Sequence, residues 1–289
     1  MPFAYLLLAI SVSATAGRNA ISKKTAVGSE ALRVDFFLSK AVLFLSAGLL
    51  LLCIGARALG SVSPLTLLYG LIYGVLLVLS QWMLTLSLKT GTTAICSTVY
   101  SFGFILPTLS GAILWHEPFL LKDGIGLAVV ILVILLSVKG KTSDSTSSKN
   151  VSFVPFILIA MLASGGLGIM QKVQQTSSVA AEKDAFLIIA FALASLLSFL
   201  AFLILGKKQR PHPRGLLYPA ATGLCFGTAN LCNTLLAGLL KSAVAFPLQN
   251  IGTILLSTLL GILVFRERLT GRVALILALS TIAVILFAV

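Results

Sequence analysis

The chain has 289 residues, of which 58% are hydrophobic and only 10% charged, and its mean hydropathy is +1.08. A soluble domain carries charge on about a quarter of its residues, so a water-soluble enzyme or signalling domain does not fit. The net charge of +13 comes from Lys and Arg in short corners between apolar runs, without the basic stripe and interleaved aromatics of a nucleic-acid surface.

Runs of about 20 apolar residues can cross a bilayer as helices. Ten are expected in chain order, at 3–20, 36–55, 65–88, 92–115, 122–138, 153–173, 185–206, 215–239, 243–265 and 270–288. The first resembles a secretory leader, with Ala14-Thr15-Ala16 as a cleavage-like site. No basic residue precedes its apolar run, however, and it has a counterpart later in the chain. It is therefore read as helix one. Residues 141–150, rich in Ser, Thr and Lys, form the expected linker. It separates a first five-helix repeat, 1–140, from a second, 151–289.

The repeat is visible at nearly fixed offsets, the signature to settle before other fold arguments. At 150 positions, His116-Glu117 falls on Arg266-Glu267, and Leu106, Thr108, Leu109 and Gly111 meet identical residues. At 153, Ser11 meets Ser164 and Arg18 meets Gln171. At 149, Gly74 meets Gly223, Gln81 meets Asn230 and Thr85 meets Thr234. Five helices per repeat is odd, so the halves must enter the bilayer in opposite directions. Inverted repeats of this kind build substrate sites near the midplane. Sixteen of the 21 Lys and Arg residues fall on one side of this topology, which the positive-inside rule makes cytoplasmic. Both termini would then face outward.

The eight carboxylates all fall in loops or at helix ends, so no midplane proton relay is expected. The four cysteines lie inside apolar runs without CxxC spacing, so neither disulfides nor a zinc site is implied. No metal, cofactor or catalytic residue is expected. What remains at membrane depth is neutral and polar, and it forms stripes. Ser11, Thr15 and Arg18 share one face of helix one, and Ser164 with Gln171 repeats that face in helix six. Gln81 and Trp82 lie on helix three, Tyr100 on helix four, Asn230 and Asn233 on helix eight, and Gln249 and Asn250 on helix nine. A buried amide without a partner costs roughly 4–8 kcal/mol on the cyclohexane scale. These amides must therefore face each other, water or a solute. The competing reading is that they glue helices together, with Gly70–Gly74 and Gly223–Gly227 as close-packing GxxxG pairs. Glu117 and Glu267 are expected to complement helix dipoles, and Pro107 to sit mid-helix as a bend.

Gly111…Trp115-His116-Glu117-Pro118 and Gly261…Phe265-Arg266-Glu267-Arg268-Leu269, each after the fourth helix of a half, resemble the EamA type of the drug/metabolite transporter superfamily. The resemblance covers essentially the whole chain. His116-Glu117-Pro118 stands where the family usually has Gly-Glu-Arg, and members usually keep both termini in the cytoplasm. The family implies alternating access through a central cavity and export of amino acids, metabolites or toxic compounds across the plasma membrane. The expected partners are a small neutral or zwitterionic solute and lipid, with the protein a monomer or a homodimer. Two other readings remain, a sugar-phosphate or nucleotide-sugar antiporter and a non-transporting membrane receptor or scaffold. The antiporter would require buried Lys or Arg, of which only Arg18 comes near.

Overall fold

The computed structural model describes residues 2–27, 34–60, 62–90, 96, 99–139, 154–206, 213–264 and 271–288. Among them there is no strand, and ten α-helices follow one another. They are α1 (Pro2–Val27), α2 (Phe36–Gly55), α3 (Pro64–Thr90), α4 (Ile105–Leu114), α5 (Leu121–Lys139), α6 (Val154–Thr176), α7 (Lys183–Leu205), α8 (Pro213–Leu239), α9 (Ser242–Leu263) and α10 (Gly271–Ala288). Six segments are long and apolar enough to cross a bilayer, those containing α1, α2, α3, α6, α7 and α9. Helix α8 has the length, but Pro219, Asn230 and Asn233 interrupt its apolar character. The runs Val99–Leu114 and Val273–Phe287 are apolar but shorter. Large apolar side chains point outward along the six segments, including Leu45, Leu49, Leu68, Leu203 and Ile204. Such a surface suits lipid rather than water. The linker, His212, Ser97 and the corner at Glu267 lie outside the described residues.

The chain forms two compact units, and each takes residues from both sequence halves. The first comprises residues 1–78 and 173–238, the second 79–172 and 239–289. In the first unit α2 lies along α7, and α3 and α8 pack on these two helices through glycines that let the backbones approach. A Cβ at Gly74 would lie 2.8 Å from the carbonyl oxygen of Ala190 on α7, and one at Gly223 would run into Leu43 O and Ser46 Oγ on α2. The two repeat-equivalent glycines are therefore both spent on helix contact. Phe44, Phe191 and Phe226 fill the middle of this unit, with centroids 5.7–6.4 Å apart, and Tyr73 packs against Phe186 at 4.9 Å.

In the second unit α9 packs on α4, α5 and α10, and α5 on α10. The expected helix 92–115 tightens into a 3-10 turn at Phe102–Phe104 before α4 begins. Pro107, in the first turn of α4 and inside the longer helix Val99–Leu114, has no N–H to offer the carbonyl of Gly103. The tighter geometry spares that bond, and a Cβ at Gly165 on α6 would lie 2.8 Å from that carbonyl oxygen. The chain leaves α4 through a left-handed residue, His116, with φ 51°. This turn brings the Glu117 N–H back to the carbonyl of Gly111 at 3.1 Å.

Candidate functional site

Within the first unit, α1 and α8 face each other in an antiparallel register. The Ser11 hydroxyl donates to Asn233 Oδ1, and the guanidinium of Arg18, two turns along α1, sits 4.5 Å from the ring centre of Phe226, two turns back along α8. Between them, a Cβ at Gly17 would lie 3.9 Å from Cys225 Sγ. Asn230, one turn from Phe226, accepts from the Tyr73 hydroxyl at 2.6 Å through Oδ1 and donates to the Phe226 carbonyl at 2.8 Å. Ser11 and Asn230 are buried, while Thr15, Arg18 and Asn233 are half-buried. Thr15 returns its hydroxyl to the Ser11 carbonyl at 2.9 Å, the ordinary fate of a helical threonine. Of the expected residues, Ser11 and Asn233 thus bond between α1 and α8 and Arg18 reaches Phe226 of α8, while Thr15 turns to its own helix and Asn230 to Tyr73 of α3. Tyr73 is a residue that sequence reasoning passed over among the aliphatics of α3.

The second unit holds the others in smaller groups. Tyr100 OH lies 3.0 Å from Ser80 Oγ and accepts from Gln81 Nε2 at 3.3 Å, so Gln81 is buried against a phenol. Trp82 stands half-buried beside it on α3. Asn250 donates to the Phe246 carbonyl at 3.1 Å, and Gln249 is half-buried beside it on α9. Ser164 is half-buried at the contact with Gly103, where a glycine Cβ would lie 3.1 Å from the serine Cβ. Close packing occupies that position. Gln171 is buried near the end of α6.

Next to Gln171 lies a group that the residue pattern did not anticipate. Lys172 Nζ is 2.6 Å from Glu117 Oε1, with the two side chains only 6% and 15% exposed. The ammonium also donates to the Leu240 carbonyl at 3.3 Å, and Glu117 Oε2 accepts from the Ser242 N–H at 2.6 Å. Glu117 therefore serves the N-terminus of α9, not that of α5 as its sequence position suggested. The N-terminus of α5 has its own carboxylate in Asp123, which accepts from the Leu120 N–H at 2.9 Å. At the end of an apolar run a lysine ordinarily snorkels to the interface. This one instead finds a carboxylate far away in the chain, where no local pattern links the two.

Among the described residues, no three His, Cys, Asp or Glu side chains cluster as metal ligands, and the four cysteines are free. No protein-family model matches the chain, and no curated protein is significantly similar to it. A protein of known crystal structure superposes on 99% of this chain and 96% of its own, with a TM-score of 0.80 at 18% sequence identity. At that identity the likeness establishes a shared fold and nothing about activity.

Proposed function

We propose that the chain is a multi-pass secondary transporter of the EamA type in the plasma membrane, exporting a small polar metabolite. In this reading ten spans form two inverted repeats that give alternating access to a solute. The observation that carries it is the polar face of α8, where Asn233 accepts from Ser11 of α1 and Asn230, one turn away, accepts from Tyr73 of α3, in a chain with six helices of membrane length among the described residues. Polar side chains are expensive at such depth, and pairs that exchange hydrogen bonds can open to a solute without leaving either partner unsatisfied. The reciprocal packing of Gly74 and Gly223 supports the inverted repeat, since α3 rests on α7 as α8 rests on α2. Gln81, Tyr100, Gln249 and Asn250 are read as contributing polar contacts along the path.

The test is transport by the purified chain in liposomes, over amino acids, nucleobases and sugars. In parallel, expressing cells are challenged with toxic analogues of the same solutes. Movement of at least one solute, reduced in Asn230→Leu at equal protein level, is expected. A chain that moves none would favour the receptor or scaffold reading.

A further inference from the structure

The corner between α4 and α5 has the reverse of the polarity that a loop in water shows. Ile113, Leu114, Phe119, Leu120 and Leu121 are all exposed, Ile113 at 69% and Leu121 at 84%. The only charged residue from Leu114 to Leu121 is Glu117, and it turns inward to Lys172 and the Ser242 N–H. Gly111 makes that turn possible, because a Cβ there would run into Ser242 and the Glu117 carboxylate. The next carboxylate, Asp123, is also buried and takes the Leu120 N–H. Backbone donors follow the same course, since Trp115 and Glu117 give their N–H groups to the Gly111 carbonyl and Pro118 has none to give. The α6–α7 corner shows the ordinary arrangement, with Thr176, Ser178 and Ala181 exposed and Val179 buried. The sequence marks a similar contrast between the repeats. Where the second half has Arg266 and Arg268, the first has His116 and Pro118.

We infer that this corner is a lipid-contact surface, seated at the boundary between headgroups and acyl chains with its apolar side chains in the hydrocarbon. The exposed residues continue the apolar faces of the helices they join. Leu109 and Ile113 lie one turn apart on α4, and Leu121 and Ile125 one turn apart on α5, all four exposed. Irregular backbone does not face hydrocarbon with its polar groups unpaired, and the bonds to Gly111 and Asp123 supply pairing within the corner. Trp115 and Lys122, both half-buried, stand at its two ends. Tryptophan settles at headgroup level, and lysine lays its stem along apolar surface while its ammonium reaches water. The occupant is therefore lipid, and the inference does not depend on the transport reading.

The experiment uses the full chain in phosphatidylcholine vesicles. In one arm the four cysteines are replaced by alanine and a nitroxide is attached at Leu114→Cys, Leu121→Cys or Ser178→Cys. Collisions with oxygen, which concentrates in lipid, are compared with collisions with a water-soluble nickel chelate. The labels at 114 and 121 should lose most of the nickel collisions seen at 178 and gain oxygen collisions. The second arm puts Leu121→Asp and Leu121→Met into the otherwise native chain. Residue 121 opens α5, where a carboxylate in water complements the helix N-terminus. In water, Leu121→Asp would thus hold or raise the thermal midpoint. At lipid it should lower the midpoint, and Leu121→Met should leave it in place. Should the variants of one arm fail to fold, the other arm carries the test. Equal nickel collisions at 121 and 178, or a midpoint held or raised by Leu121→Asp, overturn the inference. So does a label at 121 that is shielded from both reagents and broadened by a second label until the protein is diluted with lipid, because another copy of the chain then covers the corner.

Discussion

Lys172 and Glu117 offer the sharpest test of how the second unit is held. At 2.6 Å, their attraction at an effective dielectric of 20 is about 6 kcal/mol. Stripping water from each ion costs several kcal/mol, so the pair as a whole contributes little net stability. Removing one member is different, because it strands the other. In Lys172→Met the carboxylate keeps only the Ser242 N–H among its partners given above, and in Glu117→Gln the ammonium keeps the Leu240 carbonyl. Each single substitution should cost about 3–5 kcal/mol. The double variant removes both charges, and its glutamine can still accept from Ser242 N–H. It should unfold within about 2 kcal/mol of the wild type. The assay is a double-mutant cycle in mixed micelles titrated with SDS, read by the fluorescence of Trp82 and Trp115. Single variants within about 1 kcal/mol of the wild type, or a double variant that loses the full sum of the two, would show that stranding a buried charge is not what makes these substitutions costly.

Three further outcomes follow from the geometry. Tyr73→Phe removes the hydroxyl that donates to buried Asn230 and should cost about 1–3 kcal/mol, measurable in the same titration. Gly223→Ala places a methyl against Leu43 O and Ser46 Oγ; overpacking there should cost about 1–3 kcal/mol, whereas Gly271→Ala, with open space around it, should be neutral or stabilising. His116 holds a left-handed conformation, so His116→Gly or His116→Asn should preserve the thermal midpoint. His116→Val should lower stability by about 1–3 kcal/mol.

Much of the fold was legible in the sequence because lipid-facing helices obey a simple rule. Each must be apolar over its length, and each must end where Gly, Pro or charge appears. The corner after α4 could be read from Trp115-His116-Glu117-Pro118, since proline disfavours helix at the residue before it. The close-packed glycines could be read from their spacing. The expected polar face of helix one also met its amide partner on α8, because an amide in an apolar helix must find one. Pro107 does fall inside the longer helix Val99–Leu114, and what its residue type did not disclose is that this helix tightens into a 3-10 turn at Phe102–Phe104 just before it.

Composition and periodicity by themselves determined that this is a helical chain with apolar runs suited to a bilayer, because those properties are local or repeat at short intervals. Tertiary structure alone decided which groups meet. It joined Lys172 to Glu117, gave Glu117 to α9, placed Arg18 on Phe226 and put Ser164 into a helix contact. Each of these pairings joins segments far apart in the chain. Their energies depend on distance and desolvation, which no local pattern of residues encodes.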